Sequence, residues 1–265
     1  MIPFIHILIL ALIQGITEFL PISSTAHLII LPKLVGWNEQ GIELDIAMHI
    51  GSLAAVMLYF WRDVMSMLTG GINVLRGKRG YDADLFWQMV IATIPVVALG
   101  ALASYLGTDH LRQIWVMAWA SIIFGILLFI VDKYAKNNKP ITKITKSHAF
   151  LVGLTQACAV VPGVSRSGAS VTALRAMGIE RAEAAKYSCL LSIPTIFASG
   201  TFMIMQIMKL DGAHITADQL YAAGLAFIFS LLSITFMLNW VRRANFNIFV
   251  VYRVGLGIVL LYLFV

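Results

Sequence analysis

Charge is what this 265-residue chain has least of. Asp, Glu, Lys and Arg make up 12% of it, against 60% hydrophobic residues and a mean hydropathy of +0.87. That balance excludes a soluble domain of this length and leaves a polytopic membrane protein. Cysteine is almost missing. Cys158 and Cys189 are the only two, both in apolar helical stretches, where they read as small buried hydrophobes rather than as a disulfide. The first twenty residues contain no Lys or Arg to form the basic start of a signal peptide, and they contain Glu18, so they are expected to belong to the fold. The net charge of +6 does not point to nucleic acid, because the basic residues gather in loops.

What is present is long apolar runs. Six of them, roughly 44–60, 85–106, 113–132, 184–208, 219–241 and 246–265, are long enough or nearly so to cross about 30 Å of hydrocarbon. Two further stretches, about 1–35 and 148–176, have shorter apolar flanks broken at Pro21 and at Pro162-Gly163, the pattern of re-entrant helical hairpins. Loops 61–80 and 132–147, the stretch 175–186 and the turn after 241 hold 14 of the 19 Lys and Arg, which places all four in the cytoplasm by the positive-inside rule. The connections near 107–112 and 209–218 are then outside. The expected fold is an all-α membrane domain of two inverted halves, 1–140 and 141–265, each a re-entrant hairpin followed by three spans.

Polar groups are costly inside a bilayer, so their clustering at both hairpins marks a functional site. The first cluster is Gln14-Gly-Ile-Thr-Glu-Phe-Leu-Pro-Ile-Ser-Ser-Thr-Ala-His27. Gln14 and Glu18 share a helix face and suit a hard divalent cation. Ser23 or Ser24 caps the next helix, whose N-terminus, with Thr25, suits phosphate. A free hydroxyl there is a candidate nucleophile, and His27, one turn after Ser24, is its candidate base. The second cluster is Gln156-Ala-Cys-Ala-Val-Val-Pro-Gly-Val-Ser-Arg-Ser-Gly-Ala-Ser170. Gly163 lets backbone approach an anion, Ser165 and Ser167 add hydroxyls, and Arg166 supplies a planar fork matched to phosphate oxygens. Arg253 reads as structural, and Asp45 and His49 as either supporting or interfacial groups.

Gln14…Glu18, the following Phe-Leu-Pro-Ile-Ser-Ser-Thr-Ala-His27 and Pro-Gly-Val-Ser-Arg-Ser-Gly168 resemble the integral-membrane undecaprenyl-diphosphate phosphatases, the bacitracin-resistance family of bacteria, over nearly the whole chain. The resemblance implies hydrolysis of a polyprenyl diphosphate to the monophosphate at the outer face of the bacterial cytoplasmic membrane. That activity recycles the lipid carrier of peptidoglycan and confers bacitracin tolerance. It implies Glu18, Ser24, His27 and Arg166 as catalytic residues, with either Ser24 or His27 as the nucleophile, and Ser23, Thr25, Gly163, Ser165 and Ser167 on the diphosphate. Gln14 and Glu18 would sit on Mg²⁺ or Ca²⁺. Position 14 is Gln where many members have Glu, one charge fewer for the cation. The expected partners are this lipid and the membrane, without nucleic acid, and a homodimer is compatible with the chain. The rival is a transporter or flippase of an anionic lipid or solute, which has no use for Glu18, Ser24 and His27 together.

Overall fold

The computed structural model describes residues 3–107, 109–207 and 215–264. Among them the structure is helical: α1 (Phe4–Thr17), α2 (Ser24–Val35), α3 (Ile42–Tyr59), α4 (Trp61–Leu75), α5 (Tyr81–Leu106), α6 (Ile114–Tyr134), α7 (Lys146–Ala157), α8 (Arg166–Ala176), α9 (Arg181–Ile207), α10 (Ala217–Arg243) and α11 (Asn247–Phe264). Helices α3, α5, α6, α9, α10 and α11 are the six long and apolar enough to cross a membrane. They coincide with the expected spans to within a few residues at their ends. The last residue of span 184–208, residue 265, and most of the connection 209–218 lie outside the described residues.

One expectation is corrected here. Loop 61–80 is mostly helix α4, whose Trp61, Met65, Leu68, Ile72 and Leu75 recur every three or four residues and form one exposed apolar stripe. That is the pattern of a helix lying in the membrane interface, and its 15 residues are too few to cross the hydrocarbon.

Helix packing repeats itself. Helix α1 lies along α10, and α7 lies along α5; α3 lies along α10 and α9, and α6 along α11. Two glycines make the first pair of contacts close. A Cβ at Gly15 would fall 2.5 Å from Phe229 Cβ on α10, and one at Gly153 would fall 2.5 Å from the Ala92 carbonyl on α5. No side chain fits at either place, so backbone meets backbone.

The short helices are broken where their sequence demands it. Pro21 cannot continue α1 and Pro162-Gly163 cannot continue α7, so the chain leaves the α-helix at each tip, by way of a 3₁₀ turn at Cys158–Val160 in the second, before α2 or α8 begins. At its other end α8 is anchored by an ionic knot. Arg175 is fully buried, with Nε donating to Asp132 Oδ1 at 2.7 Å and one terminal nitrogen to Asn137 Oδ1 at 2.8 Å. Arg181 Nε shares the same carboxylate at 2.9 and 3.0 Å, and the Phe246 amide reaches it at 3.4 Å. Arg175, expected as part of a basic loop stretch, is therefore a core residue. Of the cysteines, Cys189 is buried as expected, but Cys158 is exposed.

Candidate active site

The two tips meet, and serines join them. Ser23 and Ser165 each precede the second helix of their tip, and they are the two non-glycine residues with positive φ among those described, at 75° and 70°. Such backbone costs on the order of 1–3 kcal/mol and persists only where surrounding contacts impose it. Those contacts are visible. The Gly163 amide donates to Ser23 Oγ at 3.1 Å, and Ser167 Oγ donates to the Leu20 carbonyl at 2.8 Å, both across the tips. Ser165 Oγ caps α8 by accepting from the Gly168 amide at 3.1 Å and lies 3.2 Å from Ser167 Oγ. Gly163 has φ +98°, and a Cβ there would stand 2.4 Å from the Met117 carbonyl, so only glycine fits.

At this junction Glu18 is the centre of the charge. It is buried, and its Oε1 accepts from the Arg166 guanidinium at 2.8 Å. Its Oε2 accepts from Ser24 Oγ at 2.6 Å and from Gln14 Nε2 at 3.0 Å. The sequence-selected Gln14, Glu18, Ser24 and Arg166 thus form one hydrogen-bonded group, drawn from both halves of the chain. Ser23, Ser165, Ser167 and Gly163 hold the tips together around it, and Thr25 is exposed to the cavity in front.

Ser24 and His27 are not paired. The Ser24 hydroxyl is committed to Glu18. His27 Nδ1 lies 2.7 Å from the Ser23 carbonyl, and Nε2 lies 2.6 Å from the Tyr252 hydroxyl. A carbonyl only accepts, so the imidazole donates from Nδ1 and Nε2 accepts from Tyr252. The ring also lies face to face with Tyr252, which fixes it against α11. The imidazole facing Glu18 is instead His49, with Nε2 3.7 Å from Oε2 and Nδ1 2.7 Å from the Asp45 carbonyl.

A cavity of about 560 Å³ opens from this centre. Glu18, Ser24, Thr25, Ser165, Arg166 and Ser167 line it; Gln40, Asp45, His49 and Arg112 add polar groups, and Leu28, Ile29, Val96, Ile196 and Met203 add apolar surface. Asp45 accepts from Gln40 at 2.8 Å. Of these polar groups the sequence had marked only Asp45 and His49. A lining that mixes charged and apolar groups suits an anionic headgroup on a hydrocarbon tail.

For a divalent cation the relevant atom is Gln14 Oε1, which is buried with no hydrogen-bond partner. With Glu18 it makes a hard oxygen donor pair, and no group of three His, Cys, Asp or Glu suited to a metal occurs among the described residues. Both are oxygen donors of the kind a hard cation takes, although Gln14 turns its Nε2 to Glu18 and does not line the cavity. In the second tip Gln156 has the same orphaned oxygen, but Val160 stands where Glu18 stands in the first. Only one tip carries the acid.

Residues 7–259 match the family described as bacitracin resistance protein BacA. The chain is 43% identical over 258 residues to the undecaprenyl-diphosphatase of Ruegeria pomeroyi, covering 97% of each. It is 42% identical over 258 residues to that of Roseobacter denitrificans, again covering 97% of each. To undecaprenyl-diphosphatase 1 of Rhodospirillum rubrum it is 41% identical over 264 residues, covering 97% of this chain and 94% of the relative.

Proposed function

Because the chain belongs to the bacitracin resistance protein BacA family, we propose that it hydrolyses undecaprenyl diphosphate to undecaprenyl phosphate and inorganic phosphate. The observation that carries the reading is the Ser24 hydroxyl held 2.6 Å from a buried carboxylate whose other oxygen holds Arg166. Ser24 Oγ attacks the terminal phosphorus and gives its proton to Glu18. The bond from that phosphorus to the bridging oxygen breaks, and undecaprenyl phosphate leaves carrying the proton. Water then hydrolyses the phosphoserine, giving one proton to Glu18, which returns it to Ser24. Arg166 moves from Glu18 to the phosphate oxygens, where its fork offsets the developing charge. A divalent cation on Gln14 and Glu18 would supply further charge neutralisation. His27 acts through the Ser23 carbonyl to hold the first tip.

Phosphate release from a polyprenyl diphosphate by purified protein in detergent is the test, and no release returns the reading to transport. Arg166→Lys keeps the charge and loses the fork, so turnover should fall about 100-fold, on the order of 3 kcal/mol, with the folded fraction unchanged. Normal turnover in that variant would leave Arg166 only its ion pair with Glu18.

The same reading extends to the membrane. We infer that α1–α2 and α7–α8 are re-entrant and that the halves are inverted, the site facing outside on the cytoplasmic membrane. The matching order of helices supports it, as do the paired contacts of Gly15 and Gly153. Bacitracin tolerance follows from the reaction. In a Cys158→Ser background, cysteines at Lys78 and Lys139 should resist an impermeant thiol reagent applied outside. One at Asp211, outside the described residues, should react. Reversed labelling would turn the site inward.

A further inference from the structure

One buried cation is not used by the mechanism above. Arg253, in α11, has no exposed surface, and among the described residues it makes no ion pair with a carboxylate. Its guanidinium spans both tips instead. One terminal nitrogen donates to the Gly163 carbonyl at 3.0 Å and the Val164 carbonyl at 2.8 Å; the other reaches the Pro21 carbonyl at 3.4 Å. Gly168 leaves room for it, since a Cβ there would fall 2.7 Å from the guanidinium. Arg253, Gly163 and Val164 do not line the cavity, whereas Ser165, Arg166 and Ser167 do.

A trans peptide points its N–H opposite to its C=O, and there is no cis bond among the described residues. With the Val164 carbonyl turned back onto Arg253, the Ser165 amide is turned away from Arg253, at a residue that lines the cavity. That amide has no hydrogen-bond partner among the described residues, whereas the Val164 amide is used by the Val161 carbonyl at 3.2 Å. An unpaired N–H in a buried tip is expensive unless something else fills it, and a developing phosphoryl oxygen would.

We propose that Arg253 is a positioning residue that fixes the Val164–Ser165 peptide so that the Ser165 N–H donates to the phosphoryl oxygen in the transition state. This rests on the phosphatase reading. It divides the arginines: Arg166 touches phosphate from the front, and Arg253 holds the loop from behind. Donors aimed at developing charge act on kcat rather than on ground-state binding.

The experiment is steady-state hydrolysis of a polyprenyl diphosphate by purified variants in detergent, with kcat and KM separated and unfolding midpoints measured alongside. Arg253→Lys keeps the charge but cannot span three carbonyls. It should lower kcat roughly tenfold to hundredfold with KM nearly unchanged. Gly168→Ala leaves Arg253 in the chain and pushes its guanidinium aside, while also pressing on Ser165 at 3.2 Å, so it should lower kcat likewise with at most a modest fall in the unfolding midpoint. Unchanged kcat per folded molecule in both variants overturns the proposal, as does a rise in KM with kcat intact. If Arg253→Lys does not fold, Gly168→Ala decides alone. A wild-type protein that releases no phosphate overturns the phosphatase reading and this proposal with it, whereas an active wild type with unaffected variants overturns only this one.

Discussion

Ser24→Ala should yield a folded protein whose phosphate release has fallen by roughly 10³-fold or more, the scale on which an enzyme loses its nucleophile. A structural role for this hydroxyl would give a different result. Ser23 holds the N-cap position of α2 but its side chain makes no capping bond, and Ser24 lies inside the helix, so the expected serine cap is absent and removing Ser24 Oγ costs none. Its one hydrogen bond goes to Glu18, which keeps Arg166 and Gln14 as donors when Ser24 is gone. Loss of that bond to a carboxylate costs stability about 1.5–3 kcal/mol, far less than the loss of chemistry. Chemistry and stability therefore separate at this position. Ser23→Ala removes a bond between the tips and should lower both together, and His27→Ala should lower turnover less than Ser24→Ala. An active Ser24→Ala protein would hand the attack on phosphorus to a water beside Glu18.

The largest effect on stability is expected at Asp132. Its carboxylate is the anion for Arg175, which is fully buried, and for Arg181. Removing one partner of a buried pair leaves the other charge uncompensated, at about 3–5 kcal/mol. Asp132→Ala should therefore lower the unfolding midpoint in detergent sharply and reduce the yield of folded protein. Asp132→Asn retains an acceptor oxygen and should lie between. Asp132→Ala with a wild-type midpoint would mean that the carbonyls around Arg175 suffice without an anion.

The spans were legible because hydropathy over twenty residues is a strong signal and the two tips announce themselves by proline inside apolar runs. Helix α4 was hidden because its apolar stripe is diluted by charges at either end, so its length and mean hydropathy resemble a loop. Arg175 was misplaced for a physical reason. A basic residue at a helix end reads the same whether it meets water or a buried carboxylate, and Asp132 lies in another helix. The site divides in the same way. Gln14 and Glu18 are adjacent on one helix, so their contact could be read from spacing. Ser24 and His27 have a suitable spacing too, but spacing says only that two groups share a face. It does not say that Glu18 lies nearer to the hydroxyl, or that Tyr252 takes the imidazole. His49 and the reach of Arg253 depend on how helices from both halves pack, and no local pattern records that.

The bonds between Ser23 and Gly163, and between Ser167 and Leu20, join positions made far apart in synthesis. The unfavourable backbone at Ser23 and Ser165 is imposed largely by these contacts, so the first tip has no reason to hold its shape before the second is threaded beside it. A nascent chain that has inserted only α1–α6 already carries Glu18 and Ser24 but lacks Arg166 and the far side of the pocket. On the proposed reading, a truncated or stalled product would sit in the bilayer among its own lipid substrate and leave it uncut.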